Sequence, residues 1–428
     1  MYKRDSRRAC PGGNGGRRRL IKQYSGISPK SDLLLIQRLC KKLEGKSFLH
    51  VNSTREGGGV AEILYRMIPL LKELGIDARW EVIEGDAKFF DFTKKTHNAL
   101  QGNTEKFTRD MWDYYYEINK KNRRKIDLKA DAVLIHDPQP APLVEYRPKT
   151  GKKSKNVWMW RCHIDISRPM PSVWSNLKKY VIQYDTAIFS VSKFAKSLPI
   201  DEFIVTPSID PLSDKNRDLT ENEINEVSEK FSIPRDKPII LQVSRFDRFK
   251  DPIGVINAYK IVKKYNDCRL VLAGSSATDD PEGEAILNEV KEYAGADEDI
   301  HILMMPPDYH KEINALQRMS DIILQKSIKE GFGLTVSEAM WKEKPVIGGA
   351  VGGIPWQIVH GVTGFLVYSP EGAAFRIRQL LNNHEMALRL GKQAKEYVRN
   401  NFLLTRQIRD YLSLWYSSMH RGENVIEL

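Results

Sequence analysis

The sequence predicts an α/β protein with two Rossmann-like, doubly wound domains that face each other across a central cleft. Short apolar runs alternate with segments of helical apolar spacing, first over residues 47–191 and again over residues 239–367. This is the alternation that a parallel sheet requires. A polar stretch at residues 213–237 separates the two series. Because ligands bind at the carboxyl ends of parallel strands, we expect the functional residues there.

The first series begins after an amphipathic stretch at residues 33–43. Residues 47–53 read as a buried strand that enters a glycine-containing loop, residues 60–74 as a helix that Gly75 ends, and residues 76–80 as the next strand. Three similar apolar runs predict further strands at 132–136, 157–162 and 186–191.

The second series starts with a strand at residues 239–243 and a helix at residues 252–265. Its other predicted strands lie at 269–273, 301–304, 321–324, 345–347 and 364–367. The sequence therefore predicts four parts: a flexible basic tail (1–30), an N-terminal domain (31–225), a C-terminal domain (226–395) and a final helical segment (396–428). The final segment is expected to pack back on the N-terminal domain.

Composition narrows the function classes. The net charge of +12 is concentrated in residues 1–46, which carry 13 basic and 3 acidic side chains, so the remainder contributes only +2. A nearly neutral body disfavours a nucleic-acid surface. No apolar run reaches the roughly 18 residues of a membrane span, and the N-terminus lacks the apolar segment of a secretory leader. Four scattered cysteines without a C-x-x-C pair disfavour a disulfide framework or a zinc site. We expect a cytoplasmic protein without stable membrane association.

Glycines 57–59 follow the first predicted strand and precede a helix. Such a loop either brings backbone amides close to a phosphate or sugar, or is a flexible turn, and the sequence leaves both interpretations open. It matches neither the G-x-G-x-x-G dinucleotide fingerprint nor a P-loop.

Polar clusters follow two other strands of the first domain. His136 and Asp137 end one strand, and His163 and Asp165 follow another. Their side chains would hydrogen-bond sugar hydroxyls or stabilise developing charge, although a single histidine in such a place is more often structural.

The second domain has a basic and an acidic cluster. Arg245 and Lys250 follow its first strand and would converge on a diphosphate, unless they form a solvated basic turn. Glu330 and Glu338 flank the start of a helix whose amides can hold an anion. Two carboxylates suit either glycoside hydrolysis or the binding of sugar hydroxyls around a phosphate loop.

The acidic motif resembles a known family. E-G-F-G-L-x-x-x-E-A-M, at residues 330–340, is similar to the donor-site signature of retaining GT-B glycosyltransferases that use nucleotide sugars. Within that superfamily the chain looks most like trehalose synthase of the glycosyltransferring type, through the strings at residues 50–53, 57–62, 134–142, 160–165 and 243–247. The resemblance runs from about residue 48 to the end of the chain.

The resemblance implies a GT-B fold and reversible transfer of glucose from UDP- or ADP-glucose to glucose, which gives α,α-trehalose with retention. The implied partners are a nucleotide-sugar donor and a small sugar acceptor, with a homodimer possible and no metal or other cofactor. The implied catalytic residues are His163, Glu330, Arg245 and Lys250. The implied donor-binding residues are Gly58, Gly59, Arg245, Lys250, Glu330, Gly331, Phe332, Gly333, Leu334 and Glu338. The implied acceptor-binding residues are Asp137, Gln139, His163 and Asp165.

Two positions depart from the family pattern. Glu343 stands where relatives usually carry a glycine at a helix end, which bears on the local geometry of the donor loop. The string 192–194 resembles sugar transferases in general rather than the trehalose-forming subset. Other acceptors, such as those of sucrose-type, polyol or polysaccharide transfer, therefore stay open. A non-catalytic nucleotide-sugar-binding protein is a further alternative, and nucleic-acid or lipid contact by the basic tail is a minor one.

Overall fold

The structure, a computed structural model, describes residues 20–55, 59–148, 156–274, 281–306, 308–423 and 426–427. Within these ranges it contains two six-stranded sheets, and every strand pair in them is parallel. The prediction of an α/β protein with two doubly wound domains is confirmed.

The first sheet has the strand order β2-β1-β3-β4-β5-β6. Its strands are β1 (Ser47–Asn52), β2 (Asp77–Val82), β3 (Ala132–His136), β4 (Val157–Cys162), β5 (Thr186–Phe189) and β6 (Asp201–Ile204). The order reverses between β1 and β3, so their carboxyl ends border the crevice in which such sheets bind ligands.

The second sheet has the order β12-β11-β10-β7-β8-β9. Its strands are β7 (Ile239–Val243), β8 (Arg269–Gly274), β9 (Ile300–Met304), β10 (Ile322–Gln325), β11 (Val346–Gly349) and β12 (Phe365–Val367). The reversal falls between β7 and β10, as in dinucleotide-binding folds.

Helices cover the sheets. They are α1 (Lys30–Lys42), α2 (Gly59–Glu73), α3 (Ala87–Leu100), α4 (Arg109–Arg123), α5 (Pro171–Val181), α6 (Glu221–Lys230), α7 (Pro252–Lys263), α8 (Pro281–Ala294), α9 (His310–Met319), α10 (Leu334–Trp341), α11 (Ile354–Gln357), α12 (Pro370–Leu381), α13 (His384–Asn401) and α14 (Leu404–Met419). Short 3-10 helices lie at Leu20–Tyr24, Ala141–Tyr146, Ser192–Phe194 and Arg248–Lys250. Across the described ranges, no helix combines the length and apolarity needed to cross a membrane.

The final helix, α14, lies against the N-terminal domain. It packs on α1, and its Trp415 ring lies 5.1 Å from Phe48 of β1, measured between centroids. Trp415 and Tyr411 are buried in the same core as the α2 face that carries Leu64 and Met67. The chain therefore crosses back from the second domain to complete the core of the first.

Three features differ from the sequence-based expectations. β6 was not predicted, because its residues are mostly exposed and carry no apolar run. The tail prediction is wrong for residues 20–30: Ile21 and Tyr24 are buried, and the Tyr24 hydroxyl donates to Asp210 Oδ1 at 2.8 Å. Residues 1–19 lie outside the described residues. The predicted boundary at residue 225 falls inside α6, which packs on α9 of the second domain.

Glu343, the residue at the usual glycine position, has φ 59° at the end of α10. The left-handed conformation is thus kept without glycine, and it costs a residue with a Cβ about 1–2 kcal/mol. The carboxylate pairs with Lys395 Nζ at 2.9 Å, but both side chains are well exposed, so the pair contributes little.

We expect Glu343→Gly to raise the free energy of unfolding by about 0.5–1 kcal/mol, because glycine accepts a positive φ at little steric cost. The measurement is the urea midpoint, with Glu343→Ala as the matched control that removes the ion pair but keeps the strain. Equal midpoints for both variants would contradict the assignment of strain to this position.

Candidate active site

The two domains come into close contact at two places in the cleft, near the carboxyl ends of their sheets. A Cβ placed on Gly59, where α2 begins, would lie 2.7 Å from Leu334 Cδ1 at the start of α10. A Cβ on Gly331 would lie 3.1 Å from the carbonyl oxygen of His163, which follows β4. Glycine at both positions lets the domains approach closely enough to enclose a ligand.

An ion pair forms at the reversal of the second sheet. Lys250 Nζ, in the loop after β7, lies 2.7 Å from Glu330 Oε2, in the loop after β10. The Ser327 hydroxyl donates to the same carboxylate oxygen at 3.1 Å. Lys250 and Glu330 are both largely buried. The family resemblance implies donor-binding roles for both.

The two loops are also joined through their backbones. The amide of Ile328 donates to the carbonyl of Phe249 at 2.8 Å. Lys326, which is buried, pairs with Asp251, whose own backbone has φ 52° and whose side chain accepts from the Gly254 amide at the start of α7. The loops therefore hold Lys250 and Glu330 at a fixed separation.

The acidic motif depends on glycine geometry. Gly333 has φ 84° and directly precedes α10. Gly352 has φ 55°, and a Cβ there would lie 1.7 Å from the carbonyl oxygen of Glu330. The backbone of residues 352–353 thus packs directly under the Glu330 loop, where no side chain fits.

Glu338 is buried on α10 beside a lysine from the segment between the domains. Lys215 Nζ lies 3.8 Å from Glu338 Oε1 and 2.7 Å from Glu62 Oε2 on α2. Burial raises the pKa of Glu338, while Lys215 lowers it. Among the described residues, Glu338 Oε2 has no hydrogen-bond partner. Lys215 thereby links α2 of the first domain to α10 of the second.

Asp137 holds the backbone of His163. Its Oδ1 accepts from the His163 amide at 2.7 Å, and its own backbone has φ 64°. Burial raises the pKa of Asp137 to about 6, against the lowering effects of the His163 amide and of Arg161. Burial, together with Arg161, holds the pKa of His163 well below its usual range, so the ring is neutral.

Several predicted residues lie apart from these contacts. Arg245 is 62% exposed and pairs with Asp247 at 3.4 Å. Burial lowers the pKa of His97 on α3 to about 4, and the charge of Arg245 adds to this effect. The Gln139 carbonyl accepts from Asn119 on α4. Asp165 accepts from the Ser167 amide, and the buried Phe332 ring packs on Phe402. Gly58 lies outside the described residues.

Sequence reasoning missed four residues that hold the site together. They are Lys215, Lys326, Ser327 and Lys329. Lys329 Nζ donates to the Gln101 carbonyl at 3.3 Å and to Asn103 Oδ1 at 3.1 Å across the cleft. Ser327 and Lys329 directly precede the acidic motif in the sequence, and this position could have indicated that they lie at the site. Lys215 has no such signal, since its partners are distant in sequence.

Together, the two facing sheets and their paired loops define a GT-B fold. A solved structure described as "Trehalose-6-phosphate from E. coli bound with UDP-2-fluoro glucose" matches 88% of this chain and 99% of its own, with TM-score 0.68 at 15% identity. That similarity establishes the fold.

Sequence comparisons give the family. The family model "Trehalose synthase, N-terminal domain" matches residues 50–196, and "Glycosyl transferases group 1" matches residues 223–397. Trehalose synthase of Thermococcus litoralis is 48% identical over 94% of this chain and 97% of its own length. Trehalose synthase of Rubrobacter xylanophilus is 40% identical over 89% and 92%. The chain belongs to the trehalose synthase family and is a glycosyltransferase of trehalose metabolism.

We expect Lys250→Met to lower kcat/KM by roughly 100-fold or more, because the reaction loses one preorganised cation and Glu330 loses its counterion. Steady-state kinetics measures the loss. Lys264→Met, on an exposed lysine after α7, is the matched control and should retain full activity. A similar loss in both variants would show that general charge, rather than this position, is responsible.

We expect Gly352→Ala to displace Glu330 and abolish most activity, because the new methyl group overlaps the Glu330 carbonyl. Gly361→Ala is the control: its φ is 79°, yet nothing lies within 4 Å of the added Cβ. Activity and urea midpoints of both variants separate the two causes. If Gly361→Ala were equally inactive, backbone strain and not the contact with Glu330 would be responsible.

Proposed function

We propose that this protein reversibly transfers glucose from UDP- or ADP-glucose to glucose, forming α,α-trehalose with retention at the anomeric carbon. The observation that carries the proposal is the Lys250–Glu330 pair at the reversal of the second sheet, with the adjacent Gly331 against the His163 carbonyl. This arrangement sets a cationic donor loop beside the polar strand ends of the first domain. The family relationship supports the same chemistry.

The donor diphosphate lies at the start of α10 in this proposal. Its developing negative charge is met by Lys250 and by the free amides of the helix N-terminus, and the exposed Arg245 side chain turns toward it from its contact with Asp247. These groups supply the electrostatic role that a bound metal ion plays in other transferases. The reaction therefore requires no metal and no other cofactor.

Both motif carboxylates are already engaged, which supports substrate-binding roles for them. Glu330 is held by Lys250 and Ser327, and Glu338 lies deep beside Lys215. Glu330 binds donor glucose hydroxyls, and Glu338 binds the nucleotide ribose. The leaving phosphate takes the acceptor proton in a front-face substitution, so no covalent glycosyl-enzyme forms and the configuration is retained.

The acceptor glucose lies against the strand ends of the first domain, near Asp137 and His163. The protein works in the cytoplasm: Cys40, Cys162 and Cys268 are buried free thiols, which fit a reducing compartment. Light scattering on the purified protein measures whether it forms a homodimer.

The test is incubation of the purified protein with UDP-glucose or ADP-glucose plus glucose, with EDTA present. Chromatography then measures α,α-trehalose and the released nucleoside diphosphate. The expected result is trehalose formation that Glu330→Gln abolishes and Glu298→Gln, at an exposed glutamate far from the motif in sequence, leaves unchanged.

The reverse reaction, from trehalose and a nucleoside diphosphate, tests reversibility in the same assay. If nucleotide were released with another acceptor and not with glucose, the proposed acceptor would be wrong and the proposed donor would stand. No donor binding by calorimetry would overturn the proposal.

A further inference from the structure

Three histidines form a continuous hydrogen-bonded chain behind the candidate site. His50 lies on β1, His136 ends β3 and His163 follows β4, which are neighbouring strands of the first sheet. His50 Nδ1 lies 3.2 Å from His136 Nε2, and His136 Nδ1 lies 3.1 Å from His163 Nε2. The chain thus runs from the core beneath α14 to the cleft.

The rings meet edge to edge. Adjacent ring planes differ by only 20° and 17°, while both centroid separations are 5.4 Å, much longer than the nitrogen–nitrogen distances. In such nearly coplanar pairs the N–H of one ring points at the in-plane lone pair of the next, which is the geometry of a good hydrogen bond.

All three rings are neutral. Burial lowers the pKa of His50 to about 3, and it holds the pKa values of His136 and His163 well below their usual range, with Arg161 adding to both effects. A neutral imidazole carries one N–H and one lone pair. Two linked hydrogen bonds through a neutral middle ring therefore run in only two ways, both outward to His163 or both inward to His50.

The inner end of the chain distinguishes the two directions. Among the described residues His50 Nε2 has no hydrogen-bond partner, and the ring packs 4.3 Å from Phe48 between centroids. The inward direction would bury an N–H there without an acceptor, whereas the outward direction leaves only a lone pair. Buried N–H groups without partners are rarer than buried acceptors without partners.

We propose that His50 and His136 are positioning residues that fix His163 in the tautomer protonated on Nδ1. His163 Nε2 accepts from His136, so neither nitrogen of His163 has a free lone pair with which to act as a base. His163 meets the transferring sugar as a hydrogen-bond donor only. This last step rests on the proposed function; the tautomer itself does not.

Asparagine and leucine at position 50 separate hydrogen bonding from packing. The asparagine amide places a donor close to the position of histidine Nδ1, whereas leucine fills the space without one. We expect His50→Asn to keep the wild-type kcat and His50→Leu to lower it by roughly threefold to tenfold, the worth of one hydrogen bond, with KM little changed. An equal loss in both variants would overturn the proposal.

The decisive measurement uses no substrate. ¹⁵N-histidine NMR distinguishes protonated from unprotonated ring nitrogens, and the His163 signals are assigned by their loss in His163→Asn. We expect Nδ1 protonated and Nε2 unprotonated in the wild-type protein, unchanged in His50→Asn. Protonation at Nε2 of His163 in the wild-type protein would overturn the proposal, even if His50→Leu did not fold. Because the spectrum is independent of turnover, failure of the transferase assay leaves this result standing.

Discussion

The ion pair between Lys250 and Glu330 is the contact on which the rest of the site depends. Because the second sheet reverses between β7 and β10, the loops from these strands leave side by side, and opposite charges on them meet at 2.7 Å. Gly331, the next residue, reaches the His163 carbonyl, and α10 begins at Leu334. A shift of Glu330 therefore changes both the approach of the domains and the direction of the helix N-terminus.

Close backbone contacts set the distance between the two domains, and polar contacts set their relative orientation. Gly59 and Gly331 allow approaches that a methyl group would obstruct. The contacts of Lys215 with α2 and α10, and of Lys329 with the residues after α3, add direction. The glycine contacts determine how closely the domains meet. The contacts of Lys215 with two carboxylates and of Lys329 with two amide oxygens determine the register of the domains.

Much of the fold follows from the sequence because most strands are fully buried apolar runs, as in Ala132–His136 and Arg269–Gly274. Asp201–Ile204 escaped prediction because it is an exposed edge strand without such a run. The site motifs were found because their polar and glycine residues directly follow predicted strands, and the carboxyl ends of parallel strands are where such folds bind ligands. Lys215 was not found because its role depends on Glu62 and Glu338, which only the tertiary fold brings to it.

Asp137 lowers the stability of the fold locally, both through its backbone conformation and through the burial of its carboxylate. Its positive φ costs about 1–2 kcal/mol for a residue with a Cβ. Its pKa of about 6 lies above that of an unfolded aspartate, so between about pH 4 and pH 6 the folded chain binds the proton more tightly. The stability it contributes in acid is therefore lost as pH rises through this window. The carboxylate that remains accepts the His163 amide, while His136 holds the ring. Asp137 thus fixes the backbone of His163, and His136 fixes its imidazole ring. The backbone strain at Asp137 is found where it holds His163 rigid at the contact between the domains.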